Sequence, residues 1–364
     1  MSQSALFEPL RLARGPQWKN RLALAPLTNL QSHPDGRLSD EEFRWLTMRA
    51  EGGFGLTMTC AASVQKIGQG FPGQVGVYDD KHVEGLTRLA KAIRDNGSVA
   101  AMQLHHAGIR SDKRIVPQPV GASDDAETGS RGLTTAEVEQ LRDDFIAAAK
   151  RAEAAGFQGV EVHGAHGYVL AEFLSDEFNR RDDRYGGGLE NRARLILEIL
   201  DGIRGQCGPD FQLGLRLSPE RFGMRLAEIK ELVAELIRGA KIDYLDLSLW
   251  DFAKEPVEEG FRGQTLLSHF TEMDRGNVRI GCAGKIMTAR DAVAALDGGC
   301  DFATIGRAAI LRHDFPERVR RDSEYRSPDL PVAPEYLVQE GVSPPFLEYL
   351  RGFNGFVAPG DVAA

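Results

Sequence analysis

Apolar residues along this chain fall into two alternating patterns. Short, almost continuous hydrophobic runs occur at 21–27 (RLALAPL), 55–60 (GLTMTC), 98–104 (SVAAMQL), 159–163 (GVEVH), 212–217 (QLGLRL), 244–249 (YLDLSL), 278–282 (VRIGC) and 302–306 (FATIG). Such runs suit parallel strands covered on both faces. Between them, apolar positions recur with helical spacing. Residues 79–96 place Val83, Leu86, Leu89, Ala90 and Ile93 on one face. Residues 134–155 carry Val138, Leu141, Phe145 and Ala148 behind a Thr-Thr-x-Glu capping signal. Residues 190–206, 227–238, 288–296 and 316–321 supply further helices, and 40–51 a less regular one. Eight strands, each followed by a helix, predict an α/β fold of the (β/α)8 TIM-barrel type. It would be one domain over 1–326 with an extended C-terminal tail over 327–364. A doubly wound sheet is the runner-up, unusual at this strand count without a Gly-rich dinucleotide turn. The long polar stretch 107–133 reads as a lid or binding loop after the third strand. The aromatic content of the tail predicts that at least 346–356 packs on something.

Composition narrows the function classes. The 364-residue chain is 42% hydrophobic, enough for a sizeable core, and its net charge of −9 comes from interspersed acids and bases. No basic run of the kind that binds nucleic acid or acidic lipid is present, and the acidity reads as plain solubility. Cys60, Cys207, Cys282 and Cys300 form no C-x-x-C pair, so neither a zinc ribbon nor an iron–sulfur cluster is indicated. They read as reduced, mostly buried thiols of a cytoplasmic protein. No signal peptide or membrane span is expected, because no suitable apolar run exists.

The candidate chemistry sits at the carboxyl ends of the predicted strands, where barrel active sites lie. The fourth run ends in His163-Gly-Ala-His166-Gly-Tyr168, two imidazoles and a phenol within six residues. Read alone, these are ordinary loop residues, a metal site, or hydrogen-bond donors beside a proton donor. A zinc site needs a third ligand, and Glu161 shares the strand parity of His163. Gln103 ends the third run, and its amide can read both donor and acceptor positions of a pyrimidine-like edge. Arg216 lies inside an apolar strand and must pair with something, a carboxylate being the plain partner. Pro26-Leu27-Thr28 is a rigid turn followed by a hydroxyl, and Cys60-Ala61-Ala62 lets backbone approach a flat ring. Ala283-Gly284-Lys285 and Gly306-Arg307 place glycines at the turns after strands seven and eight, where phosphate sites recur.

The block 159–194, which includes Asn179-Arg-Arg181-Asp-Asp183-Arg-Tyr185-Gly-Gly-Gly-Leu-Glu190-Asn191-Arg192, resembles the Old Yellow Enzyme family of FMN-dependent oxidoreductases. Gln103-Leu-His105-His106-Ala-Gly108 and Gly306-Arg307 strengthen the resemblance, which runs from Phe7 to about Phe315. It implies FMN across the barrel mouth and NADH or NADPH as co-substrate. It implies that Pro26, Leu27 and Thr28 lie along the flavin and that Ala61 makes a main-chain contact. Gln103 and Arg216 would meet the pyrimidine end, and Ala283, Gly284, Lys285, Gly306 and Arg307 the phosphate. His163 and His166 would clamp a substrate oxygen, and Tyr168 would donate a proton. No metal is implied. Leu30 stands where one subgroup has an active-site tyrosine, Gly188 where a serine is usual, and His105 where relatives carry an aromatic or small residue. Tyr349-Leu-Arg351-Gly-Phe353 looks like the tail of dimeric relatives. It implies a homo-oligomer, dimer or larger, in which Arg351 enters the neighbour's active site.

The leading expectation is therefore a cytoplasmic ene-reductase acting on a small molecule. Nicotinamide reduces FMN, and hydride then passes to the C=C bond of an α,β-unsaturated carbonyl or nitro compound. The rivals are an oxidative N-demethylase or amine dehydrogenase of the same family, a non-catalytic flavin-binding protein, and a metal-dependent barrel hydrolase.

Overall fold

The structure, a computed structural model, describes residues 1–359. The last five residues of the expected tail lie outside the described residues. Eight parallel strands form the barrel: β1 (Leu22–Leu24), β2 (Leu56–Ser63), β3 (Val99–His105), β4 (Gly159–Gly164), β5 (Gln212–Leu217), β6 (Tyr244–Ser248), β7 (Arg279–Ala283) and β8 (Phe302–Ile305). The sheet closes when β1 pairs with β8 in the register Leu22↔Ala303, Ala23↔Thr304, Leu24↔Ile305. The expected α/β barrel is thus the observed one. β1 stops short of its apolar run, since Pro26 has no N–H to give a ladder. β2 runs three residues longer and shifts register against β3 between Met58 and Ala61.

The helices expected from the sequence form: α1 (Asp40–Glu51), α2 (Val83–Asp95), α3 (Thr135–Ala154), α5 (Leu189–Gln206), α6 (Leu226–Arg238), α8 (Ala289–Asp297) and α10 (Phe315–Arg321). Thr134 and Glu137 form the capping box that the sequence signals. The short helices α4 (Val169–Leu174), α7 (Ser268–Thr271), α9 (Arg307–Leu311), α11 (Pro334–Gln339) and α12 (Pro344–Arg351) carry too few turns to show a period.

The amino-terminal end of the barrel is plugged by Trp18, Tyr244 and Phe302, whose rings meet edge to face with centroids 5.0–5.9 Å apart. Two cross-strand glycines make the room. A Cβ on Gly214 would lie 2.1 Å from the Tyr244 ring, and one on Gly281 would lie 2.2 Å from Phe302.

The carboxyl end is built differently, from polar groups that tie loops down. Glu42 on α1 is buried and accepts hydrogen bonds from Asn29 Nδ2 (3.1 Å) and Ser32 Oγ, which pins the loop after β1. Glu172 on α4 accepts the N–H groups of Ile109 (2.8 Å) and Ala122 (3.1 Å) and holds the 107–133 stretch against the barrel. The tail docks over the same end. Phe346 packs on Trp45 at 5.7 Å, and the Ser343 N–H donates to Gln31 Oε1 (3.1 Å). Arg49, buried over Trp45, donates to the carbonyls of Ala309 (3.0 Å) and Glu340 (2.8 Å). The Glu340 carboxylate takes Arg312 (3.1 Å) and His313 (2.7 Å). The expectation that 346–356 packs is met, and what it packs on is the mouth of its own barrel.

Gly281→Ala is expected to cost about 1–3 kcal/mol through overpacking, read as a lower urea midpoint at unchanged slope. A second expectation concerns pH. Burial pushes the Glu42 carboxyl up to about 7 from its ordinary 4.5, against the opposing hydrogen bonds of Ser32 and Asn29. A raised folded-state pKa gives stability that is complete below the unfolded value and is lost as pH rises through the folded one. Glu42→Gln removes that loss. The variant should therefore gain stability relative to wild type as pH rises from about 4.5 to about 7, measured by chemical denaturation across that range. A pH-independent difference would mean that Glu42 is already ionised in the folded protein.

Candidate functional site

Two adjoining cavities open at the carboxyl ends of the strands. The first, about 380 Å³, is lined by Thr28, Ala61, Gln103, His163 and Tyr168. The second, about 650 Å³, is lined by Arg216, Ala283, Gly284, Lys285 and Gly306. Pro26, Leu27, His166 and Arg307 line both, so the two are one groove. Every site residue expected within the chain's own barrel faces this groove. Arg351 does not: it is exposed and pairs with Glu348 at 3.2 Å.

Other lining residues were not expected at the chain's own groove. Trp250, on the loop after β6, is 72% exposed and borders both cavities. Phe71, Ile310, Tyr349, Phe353 and Phe356 contribute to the apolar wall. Three of these come from the tail, whose aromatic content and 349–353 motif were the signals available. Leu30 is absent from the wall, whereas Thr28 and Tyr349 both line it. The 107–133 stretch, expected as a lid, contributes no lining residue. Its Arg110 instead lies over the Tyr168 ring at 5.3 Å and donates to the His166 carbonyl at 3.0 Å.

The histidine pair has a defined proton arrangement. His163 Nδ1 accepts the Ala165 N–H (3.2 Å), so the neutral ring carries its proton on Nε2. That proton points to His166 Nδ1 at 3.2 Å, which leaves the second ring protonated at Nε2, 2.7 Å from Ser248 Oγ. Burial, with Arg216 nearby, holds His166 down at about 3 and His163 well below its usual range, so both are neutral donors at pH 7. His166 has φ +63°, and Leu30, Arg221, Phe222, Trp250 and Lys285 share this left-handed region around the rim. Strain of this kind persists only where surrounding structure enforces it.

Beneath the groove lies a buried polar layer. Gln103 Nε2 donates to Glu161 Oε1 at 2.8 Å, its cross-strand neighbour. Glu161 is thereby engaged away from the histidines. Arg216 meets the Asp246 carboxylate at 2.9 Å, the plain partner expected, and Asp246 also accepts from Thr304 Oγ1 at 3.0 Å. Burial pushes both Glu161 and Asp246 up, the Asp246 charge adds to the rise at Glu161, and Arg216 opposes both. Among the described residues, no three His, Cys, Asp or Glu side chains are grouped to hold a metal. Among the described residues, no helix is long and apolar enough to cross a membrane.

The phosphate end departs from expectation in two ways. Gly306-Arg307 opens only the five-residue α9, and α8 begins five residues after Gly284, so neither glycine caps a long helix. Lys285 is held by Asp251 at 2.9 Å. Arg307, in contrast, has no hydrogen bond or ion pair among the described residues, and Arg216 keeps a buried Nε without a partner. A groove with apolar walls, an unpaired arginine at one end and spare buried donors at the other fits a flat heterocycle carrying a phosphate.

Known proteins agree with this geometry. Residues 5–325 match the model of the NADH:flavin oxidoreductase / NADH oxidase family. The chain is 34% identical over 331 residues to the probable NADH-dependent flavin oxidoreductase YqiG of Bacillus subtilis (strain 168), covering 88% of each. It is 31% identical to an NADPH dehydrogenase of Bacillus licheniformis, covering 87% of this chain and 94% of the relative. Morphinone reductase has a solved structure that superposes with a TM-score of 0.77 at 30% identity, covering 92% of this chain and 93% of that one. The chain therefore belongs to the Old Yellow Enzyme family of NADH:flavin oxidoreductases and is an NAD(P)H-dependent FMN oxidoreductase.

Proposed function

We propose that the protein reduces the C=C bond of α,β-unsaturated carbonyl or nitro compounds. The observation that carries this reading is a phenol beside two neutral, tautomer-locked histidines on the wall of one groove. FMN, when bound, supplies two-electron hydride chemistry between the nicotinamide and the second substrate. Pro26 and Leu27 would flank it, with Thr28, the Ala61 backbone and Gln103 along its edge. Arg216 would place positive charge where the reduced ring is anionic. Arg307, with the Ala283–Lys285 and Gly306 backbones, would hold the phosphate.

On the substrate side, His166 Nε2–H exchanges Ser248 for the carbonyl or nitro oxygen, and His163 fixes the His166 tautomer and can follow it. These donors withdraw electron density from the conjugated double bond. Tyr168 then gives its proton to the α-carbon. Burial raises the phenol above its ordinary 10, so it stays protonated at neutral pH, as an acid must. The proton donor and the oxygen clamp come from one loop, Gly164–Tyr168, so a single backbone sets their spacing. Arg351, exposed on α12, is free to serve a neighbouring subunit's site in a homo-oligomer.

The FMN-loaded protein, reduced without oxygen by NADH or NADPH, is expected to lose its visible flavin bands and regain them on adding cyclohexenone. Failure of enones and nitroalkenes alike to restore them would overturn the reading. Tyr168→Phe should be reduced at the wild-type rate but reoxidised by enone about 10²–10⁴-fold more slowly, the usual range for loss of a general acid. Equal reoxidation rates would remove Tyr168 from this role.

A further inference from the structure

His105 has no place in the chemistry above, yet it is the residue packed most tightly on Tyr168. Its ring meets the phenol ring edge to face, with centroids 4.4 Å apart at 81°. It is 1% exposed, at the end of β3. One side chain decides its proton arrangement. Gln74 Oε1 accepts the Gly70 N–H (2.7 Å), which fixes the amide orientation. Gln74 Nε2 therefore donates, to the Ala61 carbonyl at 2.7 Å and to His105 Nδ1 at 3.0 Å. A neutral imidazole whose Nδ1 accepts carries its proton on Nε2. Burial holds the His105 ring down at about 3, so it is neutral at any working pH. The resulting Nε2–H is buried and has no hydrogen-bond partner. Leaving such a donor unsatisfied costs free energy, and its nearest ring neighbour is the phenol that must become negative.

We infer that His105 is a positioning residue for Tyr168, holding the ring edge-on and supplying a fixed N–H dipole that stabilises the phenolate left by proton transfer. The inference rests on Tyr168 being the proton donor. The step balances: the Tyr168 O–H bond breaks, a C–H bond forms at the α-carbon, and the two electrons arrive with the hydride. The phenolate later takes a proton from water. Other groups face the same phenol. Arg110, over the ring, favours the phenolate, and Cys60 on β2 opposes it. His163 at 5.2 Å and His166 at 6.4 Å are neutral, as is the Tyr349 phenol. His105 alone among these offers a buried donor that nothing else uses.

The test is the pKa of Tyr168 in the FMN-loaded protein, read by NMR of tyrosine labelled with carbon-13 at Cζ and assigned by difference from Tyr168→Phe. His105→Phe keeps an aromatic edge and removes the N–H. It should raise the Tyr168 pKa by about one pH unit, a tenfold weaker acid. Gln74→Met, outside the groove, frees His105 Nδ1 to take the proton and should move the pKa the same way by less. It serves as the independent variant if His105→Phe does not fold. A Tyr168 pKa unchanged or lowered in the folded variants overturns the inference. The NMR readout needs no turnover, so it stands apart from the proposed reaction, which fails separately if Tyr168→Phe is reoxidised at the wild-type rate.

Discussion

The site depends on ring closure. Pairing of β1 with β8 in the register Leu24↔Ile305 sets the turn at Pro26 beside Gly306 and Arg307. Residues almost 280 positions apart then border one groove. The strand order allows no alternative neighbour, since each remaining strand pairs with its sequence neighbours. The aromatic plug at the other end fixes the diameter, because Gly214 and Gly281 leave room for no more than the two rings already there. Function and stability are thus divided between the two ends of one cylinder, as in barrels generally.

Burial without full charge pairing is the second theme. His105, His163 and His166 are neutral because desolvation penalises the imidazolium, and backbone or amide hydrogen bonds then choose which nitrogen keeps the proton. Under the proposed reaction, neutral donors would polarise an oxygen without offering a proton too easily, and the proton to be transferred would be the Tyr168 phenol's. Below the groove, Asp246 pairs with Arg216 and keeps it fixed while its Nε remains uncommitted.

Much of this was legible in the residues. Parallel strands buried on both faces announce themselves as apolar runs, and α2, α3, α5 and α6 have enough turns to show a period. His163, His166, Tyr168, Gln103 and Arg216 stood out because polar residues at the ends of apolar strands need a reason. The tail wall did not stand out. Tyr349, Phe353 and Phe356 reach the groove only through α12, and α12 is placed by Trp45, Arg49 and Gln31, about 300 residues away. The carboxylate partners Asp246 and Glu161 were invisible as pairs for a related reason: strand register, not sequence spacing, brings them to Arg216 and Gln103. Lys285 was likewise legible only in part, since nothing in the sequence pairs it with Asp251.

The tail also alters how the groove must work. A phenol from α12 and one from the β4 loop border the same cavity, which Thr28 also lines. Leu30, two residues beyond Thr28, leaves no hydroxyl there and is turned away with φ +56°. The wall that one end of a loop fails to build is therefore built by the C-terminal helix of the same chain. That helix is clamped by Glu340, whose carboxylate is held ionised by His313 and neighbouring arginines although burial opposes it. On the other side, Trp250 is exposed, borders both cavities and sits in a strained conformation. The groove thus has an aromatic face on the tail side and a solvent-facing indole on the other.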